Sequence, residues 1–168
     1  MRYLMIITGL VAFLFFHPVS MDAQENQGKA YYKHGLGVAA GSTTAYGLSY
    51  RYYMKPVAFQ FTAIPNYSRS AFARFHSGLT FMYHLVPDKK SSFFLYQSTH
   101  WHMYRDLKEH ESIYDTDKSF DKFNTGLGFG AEFNFHEQVV ISVMAGYAAY
   151  RNFSELNVTG ELGLHYLF

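Results

Sequence analysis

The last thirteen residues, 156–168, constrain the fold of this chain more than any other segment. Alternate positions from Leu156 to Phe168 carry apolar or aromatic side chains, interrupted by one glycine, and the intervening positions are mostly polar or glycine. A period of two residues is typical of a β-strand with one apolar face. Chain ends usually fray in soluble domains, so we expect this terminal strand to be needed for closing a sheet.

The same two-residue period recurs through the chain and predicts eight strands. They cover residues 32–40, 43–53, 56–64, 70–85, 92–105, 120–135, 139–151 and 156–168. No segment after residue 23 shows a sustained helical repeat of apolar residues. The connections alternate between short polar turns and longer segments, with residues 41–42 a short exception and residues 106–119 the longest. This alternation is typical of an up-and-down antiparallel barrel.

Composition indicates which face of the predicted barrel points outward. Charged residues make up only 16% of the chain and aromatic residues 20%, against roughly 25% charged in an average soluble domain. Glycine and serine are common on the polar face and suit a crowded interior, whereas tyrosine and phenylalanine on the apolar face suit contact with lipid. The sequence therefore predicts a monomeric, all-β, eight-stranded antiparallel up-and-down transmembrane β-barrel. The alternative is a soluble periplasmic carrier barrel of opposite polarity.

The fifth predicted strand fits a lipid-facing surface less well than the others. If Leu95 and Trp101 point outward, the polar side chains of Gln97 and Thr99 point outward with them. The opposite phase would expose His100 and His102 to lipid, so we expect the first arrangement.

The first residues are predicted to form a cleaved signal peptide, residues 1–23, followed by the barrel domain, residues 24–168. A positively charged start precedes an apolar run at residues 4–16, which is too short for a membrane helix, and Ala23 marks the expected cleavage site. The chain has no cysteine and thus no disulfide bond to stabilise it. Its net charge of +1 argues against a nucleic-acid partner.

The end of the chain resembles the carboxyl-terminal signal of Gram-negative outer-membrane barrels. Glu161, Gly163, Tyr166 and Phe168 supply its polar, glycine, apolar and aromatic positions in that order. In pattern rather than extended identity, the whole chain resembles the small eight-stranded outer-membrane proteins. The resemblance implies a location among the lipid and lipopolysaccharide of the outer membrane, with the signal recognised by the barrel-assembly machinery. It also implies an adhesion, host-interaction or envelope-stabilising role, or in a few members lipid modification.

Inward-facing charged residues are predicted to form a polar network in the lumen. The candidates are Arg51, Arg74, Glu132, Glu161 and His165. Buried charges are stable only when they are paired, so we expect a structural plug of side chains rather than an ion path. An eight-stranded barrel leaves little free lumen, and we expect no open pore.

Three histidines on the fourth and fifth strands, His76, His100 and His102, are predicted to face the lumen together. Three imidazoles could hold Zn²⁺ or Cu²⁺. No carboxylate or cysteine completes a recognised ligand spacing, so we expect hydrogen-bonded interior histidines, no metal and no cofactor.

The activity is expected to reside in the loops at the outer end, chiefly residues 106–119 with residues 65–69. There the protein would bind a protein, glycan or lipopolysaccharide partner. The alternative is an enzyme that modifies lipid by acyl transfer or deacylation, for which Ser98 and His100 are the nearest candidates. Glu132 is predicted to lie toward the opposite end of a neighbouring strand, so we expect no catalytic triad.

Overall fold

The computed structural model describes residues 32–68, 72–87, 91–106, 120–135 and 138–168. It contains the eight predicted strands, whose ends differ from the predicted ones by at most four residues. The largest difference is a correction: residues 65–68, predicted to be part of a loop, continue β3 and pair with β4. The strands are β1 (His34–Gly41), β2 (Ala45–Met54), β3 (Val57–Ser68), β4 (Phe72–Pro87), β5 (Ser91–Asp106), β6 (Phe120–Phe135), β7 (Val139–Tyr150) and β8 (Glu155–Leu167).

The sheet closes on itself. Each strand pairs antiparallel with its neighbours in sequence, and β1 pairs with β8 from Gly35 opposite Leu167 to Gly41 opposite Glu161. Closure leaves none of the eight described strands with an unpaired edge, so their backbone amides and carbonyls bond to one another within the sheet. The predicted fold class, an eight-stranded antiparallel transmembrane barrel, is confirmed.

The two ends of the barrel differ in the connections they hold. The terminal end holds the connections after β2, β4 and β6 together with His34 and Phe168, whose backbones exchange hydrogen bonds of 3.2 and 2.8 Å. The loop end holds the connections after β1, β3, β5 and β7. The predicted signal peptide and almost all of residues 106–119 lie outside the described residues.

Apolar side chains point outward and charged side chains point inward. Phe129 and Leu164 are 68% and 47% exposed, whereas Glu132 on the same strand as Phe129 is 4% exposed. This is the polarity predicted for a barrel surrounded by lipid and the reverse of that of a soluble carrier barrel. Within the described ranges, no helix is long and apolar enough to cross a membrane.

Part of the interior is apolar, which the sequence analysis did not predict. A buried cluster lies inside the barrel and consists of Ala58, Met82, Phe94, Tyr96 and Met144, with Tyr53 packed against it. The inward and outward faces of β5 were difficult to assign from the sequence, because apolar side chains such as Phe93 and Phe94 occur on both faces. Gly130 lies opposite Phe94 across the β5–β6 pair and makes room for its ring, since a Cβ atom there would lie 2.3 Å from the ring tip.

We expect Gly130→Ala to destabilise the barrel by about 1–3 kcal/mol, because the added methyl group overpacks the interior against Phe94. Gly160→Ala is the matched control: it lies on the outer face, where a Cβ atom would meet nothing within 4 Å. Urea unfolding of the protein in lipid vesicles measures both. Equal stability of the two variants would contradict the interior packing. Adding Phe94→Leu to Gly130→Ala should restore part of the lost stability.

Candidate functional site

A buried ion pair lies in the interior, toward the terminal end. Arg51 on β2 and Glu132 on β6 bond directly through one guanidinium nitrogen, and Arg51 is fully buried. Arg51 also donates to Ser142 at 3.0 Å, and both partners of the pair contact the Tyr53 hydroxyl at 3.2 Å. Because removing two charges from water is costly, the pair is stable only with these additional hydrogen bonds.

A chain of polar side chains links Arg51 to His165. The Nε atom of Arg51 donates to Gln60 at 3.0 Å, and Gln60 donates to Thr62 at 3.2 Å. Thr62 donates to Ser49 at 3.1 Å, and the Ser49 hydroxyl lies 2.9 Å from His165 Nε2. The structure thus brings together three of the predicted lumenal residues, Arg51, Glu132 and His165, across β2, β3, β6, β7 and β8.

Glu161 lies in a second polar group rather than beside Arg51. Its carboxylate accepts hydrogen bonds from the backbone amides of Thr43 and Thr44, at 3.2 and 3.0 Å, and from the hydroxyls of both threonines. The hydroxyl of Thr159 donates a further bond at 2.8 Å. Two amides and three hydroxyls thus converge on this one carboxylate. The lumenal polar network predicted from the sequence is therefore divided into two groups, one around Arg51 and one around Glu161.

The β1–β2 connection is folded into the barrel by these bonds. Thr43 and Thr44 are fully buried, and the Thr43 hydroxyl lies 2.5 Å from that of Ser98 on β5. Gly78 makes this possible, because a Cβ atom there would lie 2.1 Å from the carbonyl oxygen of Thr44. Thr43 and Thr44 thus form an inward plug at the loop end, whereas Ser42 before them is exposed.

Sequence reasoning missed this plug. The connection was recognised only as unusually short among the loop-end connections. The signal that could have revealed it is the combination of two adjacent threonines in that connection with glycines at inward positions of other strands. Gly126 on β6 is a second such glycine, since a Cβ atom there would lie 3.0 Å from Thr43.

The histidines at the loop end are linked by hydrogen bonds and ring stacking. His100 Nδ1 donates to the Ser42 carbonyl at 2.9 Å, which leaves its Nε2 to accept from His76 Nδ1 at 3.0 Å. The Tyr46 hydroxyl then donates to His76 Nε2 at 2.6 Å. His102 stacks on His76 with ring centroids 4.0 Å apart. Among the described residues no group of three metal-binding side chains could hold an ion, because the rings stack or bond to one another rather than converge.

Arg74 lies outside the predicted polar network, and the weighed but unpredicted pairing of Ser98 with His100 is not formed. Arg74 faces inward on β4 but lies exposed at the loop end, with its guanidinium 5.1 Å from the centre of the Tyr104 ring, and so it is not part of the Arg51 group. Ser98 and His100, the candidate catalytic pair, each bond elsewhere: Ser98 to Thr43, and His100 to Ser42 and His76. Both nitrogens of His100 are occupied, so neither is in position to activate Ser98.

The residues of the carboxyl-terminal signal divide between the two faces of β8. Glu161 and Gly163 are buried in the interior, and Tyr166 and Phe168 are exposed on the outer face. Phe168 stacks against His34 of β1 with ring centroids 5.9 Å apart. The terminal segment therefore contacts β1 on its outer face and the β1–β2 connection on its inner face.

The outer rim of the loop end carries aromatic and charged side chains together. A depression of about 450 Å³ is lined by Trp101, Asp121, Lys122, Phe123 and Asn152. Beside it Arg105 and Asp121 form a bidentate pair with both distances 3.1 Å. The β7–β8 connection is fastened to β6 because Asn152 accepts from the Phe123 amide at 2.9 Å and donates its own amide to the Phe123 carbonyl at 3.0 Å.

A closed eight-stranded barrel with an apolar exterior and a filled interior is the architecture of the small outer-membrane barrels. No protein-family model and no curated protein sequence matches the chain. Among solved structures, the N-terminal β-barrel domain of Pseudomonas aeruginosa OprF is similar, with a TM-score of 0.57, 13% identity, and coverage of 80% of this chain and 96% of that domain. At this identity the similarity concerns the fold.

Two further solved structures align over the same share of the chain. Neisserial surface protein A has a TM-score of 0.44 and 17% identity, with 80% of this chain and 94% of that chain covered. Ail of Yersinia pestis, solved in complex with the heparin analogue sucrose octasulfate, has a TM-score of 0.44 and 18% identity, with 80% and 95% covered.

We expect Glu132→Ala to cost about 3–5 kcal/mol of stability, because it leaves the Arg51 guanidinium buried without its partner. The double variant Arg51→Met/Glu132→Leu should cost less than Glu132→Ala, since no charge is then left unpaired. Urea unfolding in vesicles, followed by the fluorescence of the single tryptophan, measures both. A double variant that is no more stable than Glu132→Ala would contradict a coupled pair.

We expect Glu161→Gln to lower stability by about 1.5–3 kcal/mol and to speed hydrogen exchange at the amides of Thr43 and Thr44. The amide side chain keeps the size of the carboxylate but directs an NH₂ group at donors and removes the charge. Glu155→Gln is the control, because Glu155 is an exposed residue of β8 paired with Arg151 at 2.5 Å, and such pairs contribute about 0–1 kcal/mol. Unchanged exchange at Thr43 in Glu161→Gln would disprove the role of Glu161 in holding the plug.

Proposed function

We propose that this protein is an outer-membrane barrel of a Gram-negative envelope whose loop end faces the exterior and binds a protein, glycan or lipopolysaccharide partner. The observation that carries the proposal is the inverted polarity of the barrel together with its filled interior. Apolar side chains such as Leu127, 60% exposed, cover the outside, while Arg51 and Thr43 inside are inaccessible to solvent. Such a surface is stable in lipid, and such an interior is unsuited to transport.

The ends of the barrel are then the surfaces available for recognition. The connections at the terminal end are short: only Lys55 and Pro56 separate β2 from β3. The loop end holds the long segment between β5 and β6, and its rim presents Trp101 and Phe123 beside the Arg105–Asp121 pair. Aromatic and arginine side chains are the residues most enriched in protein interfaces, which favours this end for partner binding.

The interior contacts favour a binding role over lipid chemistry. A lipid-acting serine would need a free hydroxyl beside a histidine that can accept its proton. Ser98 lies in the plug contact with Thr43, deep among buried residues, and His100 accepts its hydrogen bond from His76. These polar groups serve to hold the β1–β2 connection inside the barrel.

The location has a direct test. In a Gram-negative host the full-length chain should fractionate with the outer membrane and migrate faster on gels before heating than after it, as a folded barrel does. Recovery of the chain in the soluble periplasmic fraction would contradict the proposed location.

The binding site is tested by deleting residues 108–118. Because these residues lie between the end of β5 and the start of β6, outside every described strand, we expect the barrel to fold and the cells to lose binding to a glycan array and to lipopolysaccharide vesicles. The control replaces Lys89 and Lys90 with serine at the terminal end and should leave binding unchanged. Full binding by the deletion variant, with its gel migration intact, would refute the loop assignment.

A further inference from the structure

Three polar residues lie on the outer face of the barrel where apolar side chains surround them. Gln97 and Thr99 on β5 and Thr125 on β6 form this group, which we call the outer polar patch. Gln97 pairs with Phe81 on one side and with Leu127 on the other. The patch points outward because the alternate residues Tyr96, Ser98 and His100 are buried inside.

The outer polar patch lies near the middle of the lipid-facing band. On β5 the outward apolar side chains begin at Phe93 and Leu95 on the terminal side and resume at Trp101 and Met103 on the loop side. A tilted strand crosses the hydrocarbon in about 9–11 residues, so Gln97 falls close to the centre of the span. At that depth water is absent, and every polar group needs a partner within protein.

Most of the polar atoms in the patch have partners on their own barrel. Thr99 donates to the Leu79 carbonyl at 3.5 Å, and Thr125 donates to the Ser98 carbonyl at 3.0 Å. Gln97 Nε2 lies 3.2 Å from the Thr125 hydroxyl and 3.3 Å from the Ser98 carbonyl. Those two acceptors are themselves 3.0 Å apart, close enough for a single N–H to serve both in a three-centre bond, and the other N–H is then available to a further acceptor.

The amide oxygen of Gln97 is different. Within the described part of the chain, no donor forms a hydrogen bond with it. An amide carbonyl in hydrocarbon without a donor is unfavourable, and the neighbouring outward side chains, Phe81, Leu95 and Leu127, have no donor to offer. The remaining N–H and this oxygen belong to the same planar carboxamide.

We propose that the outer polar patch is the centre of a homodimer interface within the membrane, in which the Gln97 carboxamides of two copies pair across a two-fold axis parallel to the barrel axis. A carboxamide is self-complementary, because it places a donor and an acceptor side by side and a rotated copy offers the acceptor and donor they require. This geometry selects a second copy of the chain as the partner. The proposal replaces the monomer expected from the sequence.

Cross-linking in vesicles tests the proposal, and the absence of cysteine from the chain makes single-cysteine variants unambiguous. Leu95→Cys lies beside Gln97 on the outer face of β5. Val38→Cys is the matched control, since Val38 is an exposed outer residue of β1, four strands away around the barrel. Each folded variant is reconstituted in phosphatidylcholine vesicles and treated with a short membrane-permeant bismaleimide.

We expect Leu95→Cys to form a covalent dimer and Val38→Cys to form little. Adding Gln97→Leu to Leu95→Cys should reduce the dimer by about three- to ten-fold, the effect of losing a hydrogen-bonded pair between membrane segments. Leucine suits a lipid-facing position, and gel migration checks folding; should that variant fail to fold, Gln97→Thr takes its place.

Three results would overturn the dimer. Equal cross-linking at Leu95→Cys and Val38→Cys would indicate random collision. Full cross-linking that survives Gln97→Leu would remove the amide pair as its cause. A Leu95→Cys product of another mass in native membranes, with none in vesicles of the pure protein, would assign the patch to a different membrane protein.

Discussion

The pairing of the first strand with the last is the interaction on which the rest of the structure depends. In hydrocarbon a sheet edge would leave a row of amides and carbonyls without partners, so a sheet can span a membrane only when it is closed. The β1–β8 pairing supplies this closure, and side chains on both faces reinforce it. Inside, the Glu161 carboxylate of β8 binds the residues that follow β1; outside, Phe168 stacks on His34. The strand β8 therefore has two roles: it closes the sheet, and through Glu161 it holds the plug at the loop end.

The interior follows from that closure. Eight strands enclose a space that side chains fill, and inverted polarity places in that space the charged residues that lipid excludes. The free-energy cost of burying these charged side chains is offset in two ways. Arg51 and Glu132 form an ion pair, whereas the Glu161 carboxylate accepts hydrogen bonds from amides and hydroxyls. The apolar cluster around Phe94 occupies the remaining volume, where Gly130 provides the space for its ring. The interior is consequently filled by side chains, which is why the proposed binding surfaces are the loop end and the outer face of the barrel.

The fold could be predicted from the sequence because a two-residue period is local. Leu127, Phe129 and Phe133 alternate with small or polar residues in adjacent positions. The strand and its lipid-facing side can therefore be recognised without knowing which strands pair with it. The site was predictable only in part. That Arg51 and Glu132 point inward follows from the phase of their strands, but the binding of Thr43 to Glu161 joins residues far apart in sequence through an inserted turn, which no local pattern encodes. Arg74 shares the inward phase of His76 and yet lies at the exposed end of its strand, because phase gives the face of a residue and not its depth.

Relaxation enhancement of methyl signals by NMR, with the unmodified protein in lipid nanodiscs, tests the inverted polarity most directly. A spin label attached near the end of the lipid tails should broaden the methyl signals of Leu127 and Leu164 strongly, and it should affect the buried methyl groups of Met144 and Val140 far less. A water-soluble paramagnetic agent should leave all four nearly unchanged, since lipid protects the first two and the sealed barrel the others. Strong broadening of Leu164 by the water-soluble agent, or of Met144 by the lipid label, would contradict the account.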